Sequence, residues 1–137
     1  MTKTYHGSCV CGAVKFEADV DTSQLETFKC NCTVCGKLRY WGIKLKTEEF
    51  RLLPESSGDD VLTDYVRNHP GIHNFFCKTC GVHVFHKLNF PQTGEYITVN
   101  AACLDGIDAS ELAAFKVRYV DGRNNKWGQA PEVTKHL

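Results

Sequence analysis

The chain has 137 residues, of which 42% are hydrophobic, and its 16 basic and 16 acidic side chains give a formal net charge of zero. This size suits one compact domain, residues 1–137, with its own core. No apolar run reaches the roughly 18 residues of a membrane span, and without a basic surplus or stripe neither a membrane nor nucleic acid is an expected partner.

Alternating apolar and polar residues dominate the chain and predict β-strands. The pattern is clearest in residues 13–18, where Val14 and Phe16 share a face, and in residues 40–46, where Ile43 and Leu45 do. Further short strands are expected at residues 50–53, 61–67, 72–76, 82–88 and 96–101. Segments rich in Gly, Pro, Asn and Asp separate them, and one helix is expected at residues 108–115. We therefore expect a mainly β fold.

Seven of the eight cysteines fall into three tight clusters: Cys9 and Cys11; Cys30, Cys32 and Cys35; and Cys77 and Cys80. The N-terminus has no apolar export segment, and reducing compartments keep thiols free. A cytoplasmic protein is therefore expected, with a nuclear location left open. Short cysteine spacings also deliver several sulfurs to one metal ion, so metal binding is favoured over four disulfides.

The first and last clusters together supply four sulfurs, here called the cysteine quartet (Cys9, Cys11, Cys77 and Cys80). Residues i and i+2 of an extended segment project to the same side, and Gly81 permits the positive φ of a metal-binding turn. Four thiolates close a tetrahedral zinc site, which is typical of a structural metal. Much of the binding free energy of such a metal appears as folding free energy.

The middle cluster supplies three sulfurs, here called the cysteine trio (Cys30, Cys32 and Cys35). A helical turn over residues 33–39 would direct its first amides at these sulfurs. Three protein ligands with an open fourth position are typical of catalytic zinc. Alternatively, Cys103 or a histidine closes the site and makes it structural. With zinc at both sites, the protein would carry a charge of about −3.

Several other side chains have both a functional and a purely structural interpretation. Lys37 and Arg39 are candidates to bind the carboxylates of a substrate, whereas Lys44 and Lys46 fit a solvated strand face. Tyr40 and Trp41 either line a pocket or belong to the core. The remaining candidates are His83 and His86, as proton donors or metal ligands, and Trp127, as a packed plug or a pocket lid.

The order and spacing of the clusters resemble the glutathione-dependent formaldehyde-activating enzymes, whose relatives include centromere protein V. The matching segments are Gly7-Ser8-Cys9-Val10-Cys11-Gly12, Cys30 to Cys35, Phe76 to Phe85, Asn100 and Leu104-Asp105. Together they span residues 5–120, nearly the whole chain. The Cys103-Leu104-Asp105 segment is more similar to the centromere protein V branch than to the bacterial enzymes.

The resemblance implies a β-tent fold of small antiparallel sheets pinned by a structural zinc at the quartet. It implies a second zinc at the trio, which glutathione would approach as the thiol substrate. The implied reaction joins glutathione to formaldehyde to give S-hydroxymethylglutathione, a carbon–sulfur lyase activity. The competing hypothesis is a non-catalytic zinc module that binds a protein or chromatin partner, as in the centromere protein V branch. A third is an enzyme that acts on a different thiol adduct.

Overall fold

The computed structural model describes residues 1–137 and contains eleven strands and two short α-helices. In chain order the elements are β1 (Thr2–Ser8), β2 (Lys15–Asp21), β3 (Glu26–Cys30), α1 (Thr33–Leu38), β4 (Gly42–Leu45), β5 (Phe50–Leu52), β6 (Leu62–Tyr65), β7 (Ile72–Cys77), β8 (Phe85–Phe90), β9 (Gly94–Asn100), β10 (Leu104–Asp105), α2 (Ala109–Ala113) and β11 (Lys116–Val120). Short 3-10 turns lie at Thr47–Glu49, Pro54–Ser56, Ala101–Cys103 and Gly122–Asn124.

The strands form two sheets. One has four strands in the order β10-β1-β2-β5, and the other has seven in the order β11-β3-β4-β9-β8-β7-β6. Every neighbouring pair is antiparallel except β3 and β11, which run parallel in register from Glu26 opposite Lys116 to Cys30 opposite Val120. The mainly β fold predicted from alternation is confirmed, with this one parallel pair as the departure.

Each strand expected from alternation is present, with its ends shifted by a few residues. The strand expected at 82–88 begins at Phe85, yet Val84 just before it is fully buried. The expected helix is α2, with Asp108 at its N-cap position. Four strands were not predicted, namely β1, β3, β10 and β11. Neither helix is long and apolar enough to cross a membrane.

The core lies between the two sheets, because residues of both belong to one buried hydrophobic cluster. A row of aromatic rings crosses it: Phe16 of β2 packs on Phe50, Phe50 on Phe85 of β8, and Phe85 on Phe75 of β7, with ring centroids 5.8, 4.8 and 4.9 Å apart. Burying each large apolar side chain stabilises the fold by about 1.5–3 kcal/mol. This row therefore fixes the sheets against each other and sets where their cysteine-bearing ends meet.

Candidate functional site

The cysteine quartet is assembled where the ends of β1 and β7 meet. Cys9 follows β1, Cys77 ends β7, and the four Sγ atoms all lie within 4.8 Å of one another. The Cys9–Cys11 and Cys11–Cys77 sulfur distances are 3.7 and 3.6 Å. Both turns contain the glycine that they need, because Gly12 and Gly81 have φ angles of 80° and 78°.

These distances fit a tetrahedral zinc ion. Four Zn–S bonds of about 2.3 Å place the sulfurs about 3.8 Å apart, close to the spacing found. The amide of Val14 donates to Cys9 Sγ at 3.3 Å, and the amide of Cys80 donates to Cys77 Sγ at 3.5 Å. Such N–H groups stabilise thiolate charge around a metal. The quartet can therefore hold a metal ion and would join the two sheets, since Cys9 follows β1 of one sheet and Cys77 ends β7 of the other.

The cysteine trio lies at the end of β3 and in the helix that follows. Cys30 ends β3, Cys32 is the N-cap residue of α1, and Cys35 lies inside the helix. The Cys32 amide donates to Cys30 Sγ and the Cys35 amide to Cys32 Sγ, both at 3.4 Å. The helical turn predicted after Cys32 is thus present, with its amide directed at a sulfur.

The trio thiols influence one another's ionisation. Contacts with the Cys30 and Cys35 thiols, helped by backbone amides, lower the pKa of Cys32. The contact with Cys32 raises the pKa of Cys30, and contacts with Cys30 and Cys32 together with burial raise that of Cys35. Three facing thiols with shared charge are a suitable donor set for a soft cation such as zinc. Unlike the quartet, the three sulfurs do not all lie within 4.8 Å of one another.

Cys103, the sequence candidate for a fourth ligand at the trio, lies in the core, and its Sγ donates to the His83 carbonyl at 3.9 Å. It is buried in the 3-10 turn after β9 and belongs to the same core cluster as Cys9 and Cys77. Burial raises the pKa of its thiol to about 12, and the nearby charges of Cys9, Asp105 and Cys80 act in the same direction. Its thiol thus lies near the quartet, and Tyr40 is within range of the charges of both Cys103 and Cys35.

His86 stacks on Tyr40 beside the trio, and the His83 ring meets His86 edge-on. His83 Nδ1 lies 3.1 Å from His86 Nε2, and the His86 ring lies parallel to Tyr40 with centroids 4.2 Å apart. The Tyr40 amide donates to the carbonyl of Cys35 at 3.1 Å. Burial lowers the pKa of His86 to about 3, the charge of His83 adds to the effect, and the charge of Cys32 opposes it. The stack is therefore close enough to the trio to feel its charge.

The segment after β11, here called the tail turn (Asp121–Trp127), is fastened to the trio by Asn31. The Asn31 Nδ2 donates to Asp121 Oδ1 at 2.8 Å, and Asn31 Oδ1 accepts from the Arg123 amide at 2.9 Å. Arg123 Nε also donates to the main-chain oxygen of Asn31 at 3.2 Å. Asn31 stands between Cys30 and Cys32, so these bonds hold the tail turn directly over the trio.

Gly122 of the tail turn packs against the trio itself. A Cβ atom at this position would lie 2.6 Å from Cys30 Sγ and 2.6 Å from the Trp127 ring. Trp127 therefore rests on the glycine that covers Cys30, while 56% of its surface remains exposed. Sequence analysis missed Asn31, Gly122 and Arg123. The available signals were the polar residue inside Cys-Asn-Cys and the turn-forming Asp-Gly-Arg-Asn-Asn run.

The other candidates occupy less distinctive positions. Lys37 lies in α1, and Arg39 is the C-cap residue of that helix, with a left-handed backbone conformation (φ of 51°). Both side chains are exposed. Lys44 lies over the Tyr96 ring at 4.4 Å, as a solvated strand face allows. Trp41 is half-buried, donates from Nε1 to Thr27 Oγ1 at 2.7 Å, and packs against the core cluster. Its position agrees with the core interpretation.

Comparison with known proteins identifies both the family and the fold. The family model described as "Glutathione-dependent formaldehyde-activating enzyme" matches residues 4–120. Among solved structures, a crystal structure of a Rhodobacter sphaeroides protein superposes with a TM-score of 0.66 at 25% sequence identity. The match covers 82% of this chain and 99% of that one.

Proposed function

The chain belongs to the glutathione-dependent formaldehyde-activating enzyme family, and on that premise we propose that it is a zinc-dependent carbon–sulfur lyase that joins glutathione to formaldehyde. The observation that carries the proposal is the trio itself, in which one short segment presents three thiols at the end of β3 and in α1. Cys103 belongs to the core cluster that also contains Cys9 and Cys77, and in this proposal neither it nor a histidine occupies the fourth position of the trio site. Three protein ligands are the usual set of a catalytic zinc.

In this proposal the quartet holds a structural zinc and the trio holds the reactive one. Zinc at the trio would lower the pKa of an incoming thiol, so that the thiol reacts as a thiolate at neutral pH. The helix amides and the low pKa of Cys32 support the charge of the ligand set. Lys37 and Arg39 are exposed next to the trio and would attract the carboxylates of glutathione.

The proposed reaction forms one bond. The thiol of glutathione loses its proton, its sulfur lone pair forms the C–S bond to the carbonyl carbon of formaldehyde, and the C–O π electrons move to oxygen. That oxygen then takes a proton to give S-hydroxymethylglutathione. The half-buried His83 donates to or accepts from buried His86, which feels the charge of Cys32. This pair is our candidate for exchanging the proton with solvent.

The test compares the zinc-loaded protein with two single variants. Formation of S-hydroxymethylglutathione from 13C-formaldehyde and glutathione is followed by NMR and corrected for the uncatalysed rate. We expect a rate above background for the wild type and for Cys103→Ser, and a rate at background for Cys35→Ser. Glutathione should also change the visible spectrum of the cobalt-substituted protein. A wild type with two bound metals, no rate above background and no spectral change would instead favour a non-catalytic zinc module.

A further inference from the structure

Arg123 is a cation held at a fixed place beside the trio. Its amide donates to Asn31 Oδ1 at 2.9 Å and its Nε to the Asn31 carbonyl at 3.2 Å. That carbonyl belongs to the peptide bond that leads into Cys32. The side chain is therefore fastened at Nε within one residue of the central trio cysteine, while the residue as a whole remains exposed.

The two Nη groups of Arg123 have no partner within the protein. The eight ion pairs of the structure leave Arg123 out, and its hydrogen bonds involve only the amide and Nε. The nearby carboxylate of Asp121 is already engaged by Asn31 at 2.8 Å and by Asn124 at 3.0 and 3.2 Å. A guanidinium with its Nε fastened and its Nη groups free presents donors suited to an external carboxylate.

Next to this cation the tail turn presents an apolar surface. The ring of Trp127 packs on Gly122, and Gly122 packs on Cys30 Sγ. The Trp127 Nε1 donates to Asn125 Oδ1 at 2.5 Å, which orients the ring. A small molecule whose sulfur approaches the trio would therefore have an indole face beside its carbon chain and a guanidinium within reach of an acidic group.

We infer that Arg123 is a specificity-determining residue that binds a carboxylate of the thiol substrate, with Trp127 as the adjoining apolar wall. The inference rests on the proposed function, because it assigns the substrate of the same site. It selects thiols that carry a carboxylate several bonds from the sulfur, as glutathione does, over neutral thiols and esters. Lys37 and Arg39 lie on the α1 side of the trio, so Arg123 would supply a cation from the tail side.

The test uses S-methylglutathione, which keeps both carboxylates of glutathione but has no free thiol. Its dissociation constant for the zinc-loaded protein is measured by calorimetry and compared with that of its diethyl ester. We expect Arg123→Gln to weaken S-methylglutathione binding by about tenfold and to leave ester binding unchanged. The matched control is Arg118→Gln, since Arg118 is exposed on β11 and pairs with Glu26 at 3.1 Å. This control should match the wild type.

Two further measurements separate substrate binding from a purely structural role. Arg123→Lys keeps the charge but loses the Nε bond to Asn31, and it should recover part of the affinity. In turnover, Arg123→Gln should raise KM for glutathione while kcat changes little. A variant that melts earlier but binds S-methylglutathione as tightly as the wild type would make Arg123 a structural fastener and overturn the inference.

The outcomes also distinguish this inference from the proposed function. If the wild type forms product above background but Arg123→Gln leaves S-methylglutathione affinity unchanged, the function stands and the inference is wrong. If the wild type forms no product yet binds S-methylglutathione in an Arg123-dependent manner, the carboxylate site stands and the reaction is wrong. If the wild type does not bind S-methylglutathione at all, the carboxylate site is wrong whatever the activity.

Discussion

His86 is a titratable side chain that the fold holds in a neutral form. It is only 4% exposed, lies against the Tyr40 ring, and has a pKa lowered to about 3, chiefly by burial. An unfolded histidine has a pKa of about 6.5. Between these two values the unfolded chain binds a proton that the folded chain does not, so the free energy of unfolding must fall as the pH falls.

We predict that the titration of His86 lowers the free energy of unfolding by about 2 kcal/mol when the pH falls from 7.5 to 5. His86→Phe keeps a ring against Tyr40 without a titratable group, so its stability should depend less on pH by that amount. The measurement is urea unfolding of the zinc-loaded proteins at both pH values. The control is His136→Gln, because His136 is exposed. Every protein compared keeps all its cysteines, so proton uptake by the thiols contributes equally to each and cancels in the difference between them. Equal pH dependence in the two variants would contradict the prediction.

At the scale of the elements, the tail turn packs directly against the candidate active site. It follows β11 just as the trio follows β3, and the two strands are parallel neighbours, so both segments leave the same edge of the sheet. Asn31 then joins them by hydrogen bonds to Asp121 and Arg123. The geometry of the trio therefore depends on the packing of a segment far away in the sequence.

Gly122→Ala should disturb this packing. The added Cβ would lie 2.6 Å from both Cys30 Sγ and the Trp127 ring, so we expect a loss of about 1–3 kcal/mol of stability and weaker metal binding at the trio. Gly128→Ala is the matched control, because no atom lies within 4 Å of a Cβ at that position. Urea unfolding and metal analysis after dialysis provide the measurements. If Gly122→Ala retained the wild-type stability and two metals, the close contact would have no energetic importance.

Prediction from sequence succeeded where a signal is local. In residues 13–18 and 40–46, alternation shows which side chains face the core. The spacing of Cys32 and Cys35 indicates that their sulfurs lie close together. Each of these patterns lies within a few residues. The pairing of β3 with β11 was not predictable in this way, since it joins distant segments in a parallel arrangement. The roles proposed for Asn31 and Arg123 follow from that pairing. Arg123 in isolation is indistinguishable from any exposed arginine of a polar turn.

At the scale of the whole molecule, two interactions join the sheets. The aromatic row from Phe16 to Phe75 crosses the core, and the quartet connects the end of β1 to the end of β7. The quartet spans residues 9–80, whereas the trio spans only residues 30–35. Loop closure costs more entropy for the longer span, so a metal at the quartet constrains the unfolded chain far more than one at the trio does.

We predict that loss of a quartet ligand destabilises the protein much more than loss of a trio ligand. Cys80→Ser should remove one zinc per chain and several kcal/mol of the roughly 10 kcal/mol that a structural zinc contributes. Cys35→Ser should also remove one zinc but shift the unfolding midpoint much less. Zinc content and chemical denaturation, each with and without a chelator, provide the comparison. Similar unfolding midpoints for the two variants would show that the quartet does not stabilise the joined sheets.

The parallel pairing of β3 with β11 also has a consequence for biosynthesis. Residues 26–30 leave the ribosome well before residues 116–120, so β3 lacks this neighbour until β11 has also been translated. During that interval Cys30 has no Gly122 over it and Asn31 has no Asp121 to bind. The nascent chain therefore leaves the Cys30 thiol without this cover until β11 and the tail turn have been made.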